Sequence, residues 1–88
     1  MEKKLTRSLF DNEDIDNVES IAENEGFSSH FDDEKIDDGI DDEDDENEYV
    51  MMRSYTFTQK DNSSNRYYAR FFYGDVDNII TYVEIYEQ

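Results

Sequence analysis

The acidic residues of this 88-residue chain are concentrated in its first half. Residues 1–48 hold 20 acids and 4 bases, whereas residues 49–88 hold 5 acids and 4 bases. The densest tract, residues 32–48, contains 12 acids, and Lys35 is its one base. Two unit charges about 6 Å apart in water repel by roughly 0.7 kcal/mol, so this crowding opposes folding. Ten of the 13 aromatic residues lie in the second half, which predicts a rigid aromatic scaffold there.

The composition excludes several classes of site. The chain has no Cys, which rules out disulfides, thiolate zinc sites and thiol catalysis, and its single His rules out a two-His metal site. The first ten residues lack the apolar run of a signal peptide, and no stretch is long enough to span a bilayer. We therefore expect a cytoplasmic protein with no membrane partner and no direct nucleic-acid partner, because a net charge of −17 repels both.

Residues 11–25 are predicted to form a helix. Asp11 is the expected N-cap and Gly26 the expected C-terminal cap, since glycine readily adopts the left-handed conformation that ends many helices. An apolar stripe recurs between them at helical spacing: Ile15, Val18, Ile21 and Ala22. The opposite face carries carboxylates three or four residues apart: Asp16, Glu19 and Glu23. Such a row is most often only a solvated face, so a binding role needs further support.

The next segment, residues 27–48, has no sustained period. Its few apolar residues have a spacing that fits two short helical turns: Phe27, Phe31, Ile36 and Ile40. Gly39 interrupts any longer helix, so we predict an irregular or partly helical segment.

The second half has the pattern of an antiparallel sheet. Alternating apolar and polar residues predict three strands, at residues 49–58, 66–73 and 79–86. Polar clusters at residues 60–65 and 74–78 predict short connections, which imply an antiparallel meander.

The expected fold is a single α+β domain over residues 1–88, in which the acidic helix and acidic segment pack on the three-stranded sheet. In the third strand, Ile79, Val83 and Ile85 are expected to share one face. The apolar stripe of the helix can cover one face of the sheet. The other face is rich in Tyr and Phe, and its exposure leaves a homodimer open.

No arrangement of residues indicates catalysis. His30 follows Ser28 and Ser29, but the segment lacks the G-x-S-x-G pattern, and sequence neighbours rarely form a nucleophile–base pair. A short and highly charged chain has little interior from which to build a glycosidase pocket around paired carboxylates. A calcium loop aligned on Gly39 would place Ile36 at a ligand position. We therefore expect neither an enzyme nor a cofactor or specific metal site.

A surface of closely spaced carboxylates can imitate a nucleic-acid backbone. Duplex DNA presents one charge about every 3.4 Å per strand, and carboxylates on a helix face and an acidic loop approach that density. The electrostatic field of such a surface also speeds capture of a basic partner. The predicted contact residues are the acids of the tract, the helical row and one tyrosine: Asp37, Asp38, Asp41, Asp42, Glu43, Asp44, Asp45, Glu46, Asp16, Glu19, Glu23 and Tyr49.

The chain as a whole resembles the small acidic DNA mimics that phages and mobile elements encode. The shared features are small size, a Cys-free composition, the acidic run at residues 41–46 and a meander after Tyr49. This class includes anti-restriction proteins, inhibitors of uracil-DNA glycosylase and anti-CRISPR proteins, and the resemblance is strongest to anti-CRISPR proteins that block Cas9-type nucleases. It implies that the partner is a bacterial defence nuclease, whose basic DNA-binding groove the protein occupies in the host cytoplasm.

The sequence leaves other functions open. The same charge suits an acidic chaperone or adaptor that shields a basic protein, such as a histone-like protein or a toxin. A small structural or regulatory domain, whose acidic tract only keeps it soluble, is a third alternative, and an enzyme is the least favoured. Competition separates the first two: a mimic loses to DNA at one site, whereas a chaperone accepts many basic proteins.

Overall fold

The computed structural model describes residues 3–36 and 50–88. In this structure a four-stranded antiparallel sheet carries short helical segments on one face. The strands are β1 (Phe27–Ile36), β2 (Val50–Gln59), β3 (Asn62–Gly74) and β4 (Ile80–Glu87), in the spatial order β1-β2-β3-β4. The expected α+β class is confirmed, but the prediction of three strands is wrong.

The helical part is shorter than the predicted helix at residues 11–25. A 3₁₀ turn, Ile15–Asn17, leads directly into the helix α1, Val18–Asn24. The N-cap is Asp14 rather than Asp11, because the Asp14 carboxylate accepts a hydrogen bond from the backbone N–H of Asp16 at 2.8 Å. The predicted C-terminal end is correct: Gly26 follows α1 with φ of 89°, a conformation that suits glycine.

Residues 12–14 stay outside the helix because their backbone pairs with the sheet. The N–H of Asn12 donates to the carbonyl of Ile80 at 3.2 Å, and the N–H of Ile80 donates to the carbonyl of Glu13 at 2.9 Å. Asn12 adopts a positive φ of 64°, which asparagine tolerates better than most residues. These bonds attach the N-terminal segment to the start of β4.

The prediction of an irregular or partly helical segment is wrong for residues 27–36, which form β1. β1 runs antiparallel to β2, with Phe27 opposite Gln59 and Ile36 opposite Met51. It is an edge strand, bonded on one side only, and after Phe27 its side chains are mostly exposed. The alternating apolar pattern that reveals a buried strand is therefore missing. The rest of that prediction, residues 37–48, lies outside the described residues.

β2 and β3 form a longer hairpin than the sequence predicts. β3 begins at Asn62, which lies opposite Gln59, so the connection expected over residues 60–65 is a tight turn. The predicted alternation on β2 is confirmed: Tyr55 and Phe57 are buried on one face of the sheet.

β4 contains an irregularity, and because of it the prediction that Ile79 shares a face with Val83 is wrong. Ile80 lies opposite Tyr73, but Tyr82 lies opposite Phe72, so Thr81 is an extra residue that forms a bulge. Because the bulge shifts the alternation, Ile80 and not Ile79 shares the buried face with Val83.

The core lies between one face of the sheet and the N-terminal segments. Phe10 is fully buried, and its ring lies 6.0 Å from that of Phe57 and 4.9 Å from that of Phe71. The predicted apolar stripe packs against the same face, with Ile15, Val18 and Ala22 buried and Ile21 partly buried. Most of the other buried residues in this core are aromatic. Burial of each large apolar side chain contributes roughly 1.5–3 kcal/mol, which offsets the repulsion among the acids.

Candidate functional site

The first candidate surface lies on the side of the sheet where α1 packs beside β1. Residues 11–36 contain ten acids and one base, Lys35. Four of these acids contact Arg53, Tyr55 or Lys60 and form what we call the acidic face: Asp16, Glu19, Glu23 and Glu34. The structure therefore brings the predicted helical row together with a carboxylate of β1.

Arg53 of β2 is the cation around which three of these carboxylates gather. Its Nη2 lies 2.6 Å from Oε2 of Glu34, and its Nη1 lies 3.7 Å from Oδ1 of Asp16. Nη1 also donates a hydrogen bond to the hydroxyl of Tyr55, and this hydroxyl donates one to Glu19; both bonds are 3.5 Å long. The Arg53 side chain is 20% exposed and that of Asp16 is 74% exposed. The cation thus lies beneath the carboxylates, which face solvent.

Tyr73 completes this cluster. Its hydroxyl donates a hydrogen bond to the Glu34 carboxylate, and its ring lies under the Arg53 guanidinium, with 5.5 Å from Cζ to the ring centroid. The bond from Tyr73, together with the bond and charge of Arg53, lowers the pKa of Glu34. Burial and the bond to Glu34 raise the pKa of Tyr73 to about 12. Glu34 is therefore held in its ionised form and Tyr73 in its neutral form.

The end of the helical row has a separate partner. Lys60, in the turn between β2 and β3, forms an ion pair with Glu23. Both side chains are largely exposed, so this pair contributes little to stability but fixes the position of the carboxylate.

Sequence reasoning identified Asp16, Glu19 and Glu23 but missed Glu34, Arg53 and Tyr73. The available signal was Arg53 as the one charged residue of β2, since a half-buried charge on a strand requires a partner. The other predicted contact residues lie outside the described residues: Asp37, Asp38, Asp41, Asp42, Glu43, Asp44, Asp45, Glu46 and Tyr49. The described residues that flank them, Ile36 at the end of β1 and Val50 at the start of β2, are two and three positions from Glu34 and Arg53, which pair across the two strands.

The second candidate surface is the opposite face of the sheet, which we call the open face because no other described element packs over it. Its side chains form three rows across the four strands: His30, Thr56, Tyr68 and Tyr86; Asp33, Ser54, Arg70 and Glu84; Lys35, Met52, Phe72 and Tyr82. Aromatic pairs lie in the outer rows, with ring centroids 6.4 Å apart for Tyr68 and Tyr86 and 5.7 Å apart for Phe72 and Tyr82.

The described residues offer little for catalysis or metal binding. Among residues 3–36 and 50–88, no group of three His, Asp or Glu side chains is arranged to hold a metal ion. An open groove of about 520 Å³ lies between the N-terminal segment and β4, and its lining includes Arg7, Asp11 and Tyr82. It contains neither His30 nor any residue of the acidic face.

Comparison with protein-family models, with curated proteins and with solved structures gives no match to this chain. In the part of the chain that the structure describes, no helix is both long enough and apolar enough to cross a membrane. A function must therefore be inferred from the acidic face and the open face themselves.

Proposed function

We propose that the protein is an acidic nucleic-acid mimic that inhibits a DNA-binding enzyme by occupying its basic groove. One observation carries this proposal: the acid-rich residues 11–36 are built into the fold, as a 3₁₀ turn, α1 and β1. Their carboxylates are displayed on a folded aromatic scaffold, whereas a solubilising tail needs no such attachment.

Fixed carboxylates favour mimicry because phosphates in a duplex also have fixed separations. Arg53 and Tyr73 hold the Glu34 carboxylate in place, so less side-chain entropy is lost there when a partner binds. Asp16 and Glu23 form more exposed pairs with Arg53 and Lys60. The cations do not cancel the field. The ten acids of residues 11–36 outnumber the three bases Lys35, Arg53 and Lys60 by seven.

A Cas9-type nuclease is the target that we propose first, with restriction enzymes and DNA glycosylases next. These enzymes bind duplex DNA in a groove lined by Lys and Arg, and in Cas9-type enzymes Arg side chains read the PAM. A rigid acidic surface competes for such residues and is steered to them by its field. This places the protein in the cytoplasm of a bacterial host.

The test compares two variants that change the net charge equally. Asp44→Lys with Asp45→Lys alters the acidic tract, and Asp11→Lys with Glu87→Lys alters exposed acids beside β4; each pair raises the charge by 4. Binding to a purified Cas9-type nuclease, a restriction endonuclease, a uracil-DNA glycosylase and histones is measured with and without a duplex oligonucleotide. Inhibition of DNA cleavage by the first two enzymes is measured in parallel.

We expect wild-type protein to bind one enzyme and to be displaced by duplex DNA. The tract variant should bind that enzyme at least about tenfold more weakly, whereas the control variant should lose less than about threefold, because charge acts locally at physiological salt. Equal losses in both variants, or equal binding to histones and to all the enzymes, would instead indicate the shielding of basic proteins by a nonspecific polyanion.

A further inference from the structure

The open face carries a second inference, which does not depend on the proposed function. We propose that two copies of this chain associate through their open faces to form a homodimer. The face is a continuous surface of β1 to β4, and the described part of the chain places nothing over it.

Two of the large exposed aromatic side chains of the described residues lie on the open face. Tyr82 and Tyr86 of β4 are 51% and 49% exposed, and they lie in the two outer rows, with their rings against Phe72 and Tyr68 respectively. Tyrosines provide large contact areas with little loss of conformational entropy, and they are enriched in protein interfaces.

Charge balance favours a second copy over a different partner. The open face and its margin carry three acids and three bases: Asp32, Asp33, Glu84, Lys35, Arg66 and Arg70. Two chains of net charge −17 repel each other, and this repulsion is smaller when balanced faces meet than when acidic surfaces do. A basic partner, in contrast, is attracted to the acidic face.

The central row of the face is complementary to itself. Nη1 of Arg70 lies 3.7 Å from Oε1 of Glu84 on the neighbouring strand. Nε of Arg70 and Oε1 of Glu84 are both shielded from solvent, and neither makes a hydrogen bond within the described residues. In a two-fold interface, Arg70 of one copy can approach Glu84 of the other, and the same contact forms twice.

The size of the face suits a weak dimer. Four strands about 4.8 Å apart, each with about eight residues rising about 3.4 Å, give a footprint of roughly 500 Å² per copy. The two copies together then bury about 1,000 Å², which is near the lower limit for a specific interface. We therefore expect dissociation in the micromolar range.

Sedimentation equilibrium across this concentration range tests the proposal with two matched variants. Tyr86→Glu places a charge on the open face, whereas Val76→Glu makes the same charge change in the exposed turn between β3 and β4. We expect Tyr86→Glu to weaken association at least about tenfold and Val76→Glu to change it less than about threefold. A monomer at every concentration, or equal effects of both variants, would overturn the proposal.

A mixing experiment tests the central row separately. Arg70→Glu gives the row an excess of acids and Glu84→Arg gives it an excess of bases, so each variant alone should be monomeric. An equimolar mixture should form heterodimers. Circular dichroism tests whether each variant is folded. If either variant is unfolded, the comparison of Tyr86→Glu with Val76→Glu still tests the homodimer. Folded variants that fail to associate on mixing would contradict the role of this row.

Salt dependence separates this proposal from the proposed function. Added NaCl screens the repulsion between two chains of charge −17, so it should strengthen the homodimer. The same salt should weaken binding of the acidic face to a basic groove. A failure to self-associate would therefore not contradict the mimic proposal. A failure to bind a basic groove would not contradict the homodimer.

Discussion

Replacement of Arg53 by methionine tests how the fold tolerates its acidic face. Methionine keeps most of the apolar stem but removes the guanidinium, which donates to Glu34 from Nε at 2.7 Å and lies 2.6 Å from it through Nη2. Glu34 and Asp16 then lose their shared cation, and Glu34 keeps only its bond from Tyr73. The buried side of the cluster is left with an uncompensated charge.

The expected loss of stability follows from this geometry. A hydrogen bond to a charged group contributes about 1.5–3 kcal/mol, and partial exposure of Glu34 and Arg53 reduces the electrostatic part. The contact with Asp16 adds little because that carboxylate is mostly exposed. We therefore expect Arg53→Met to lower the free energy of unfolding by about 2 kcal/mol. For a domain of this size, that corresponds to a fall in Tm of roughly 10 °C.

The loss should depend on pH with a definite sign. The folded state lowers the pKa of Glu34 below its ordinary value of 4.5, so the pairing stabilises the fold above that pH. This stability is lost as the pH falls through the folded-state pKa. The difference between wild type and Arg53→Met should therefore be complete at pH 7 and should shrink as the pH falls below 4.5.

Urea unfolding at low ionic strength, followed by circular dichroism, measures both effects, because urea is uncharged and does not screen ion pairs. Lys60→Met is the matched control: it also removes one positive charge, but from an exposed pair, and should cost less than about 0.5 kcal/mol. If Lys60→Met destabilises as much as Arg53→Met, net charge rather than the placement of Arg53 governs stability. A loss that stays the same at every pH down to acid unfolding would refute the assignment to Glu34.

Three further predictions concern the backbone, a phenol and the net charge. Gly26→Ala should cost about 1–2 kcal/mol in thermal unfolding, because φ is 89° there, while Gly26→Asn should cost less. Tyr73 should ionise near pH 12, so its neutral form stabilises the fold below pH 10 and this stability is lost as the pH rises towards 12. Burial also raises the pKa of Tyr55, so ultraviolet titration of the phenols should show late ionisation that Tyr73→Phe reduces by one phenol. Finally, NaCl should raise the urea midpoint of the wild type, because it screens the repulsion within a chain of net charge −17; a fall would show that local ion pairs dominate.

The parts of the fold that sequence analysis predicted correctly have strong local signals. Gly26 ends α1 because few other residues accept its conformation, and Tyr55 and Phe57 alternate with polar residues on a half-buried strand. β1 had no such signal, since an edge strand is held by backbone hydrogen bonds that any residue can make. The bulge at Thr81 also had no signal in the local sequence, because it depends on the pairing of β4 with β3.

The candidate site likewise has one part that the sequence predicts and another part that it does not. The excess of acids and the spacing of Asp16, Glu19 and Glu23 along a helical segment follow from the sequence alone. The cluster around Arg53 does not, because its residues come from a 3₁₀ turn, α1, β1 and β2 and meet only after the sheet has assembled.

The sequence by itself determined where the charge and the aromatic rings lie along the chain, and therefore which half supplies the scaffold. Only the tertiary structure decided that Glu34 shares a cation with Asp16, and that the tyrosines of β4 face outward on an open sheet. The physical reason is that composition and local periodicity are properties of neighbouring residues. Strand register, by contrast, sets which distant side chains share a face, and a shift of one residue exchanges the two faces.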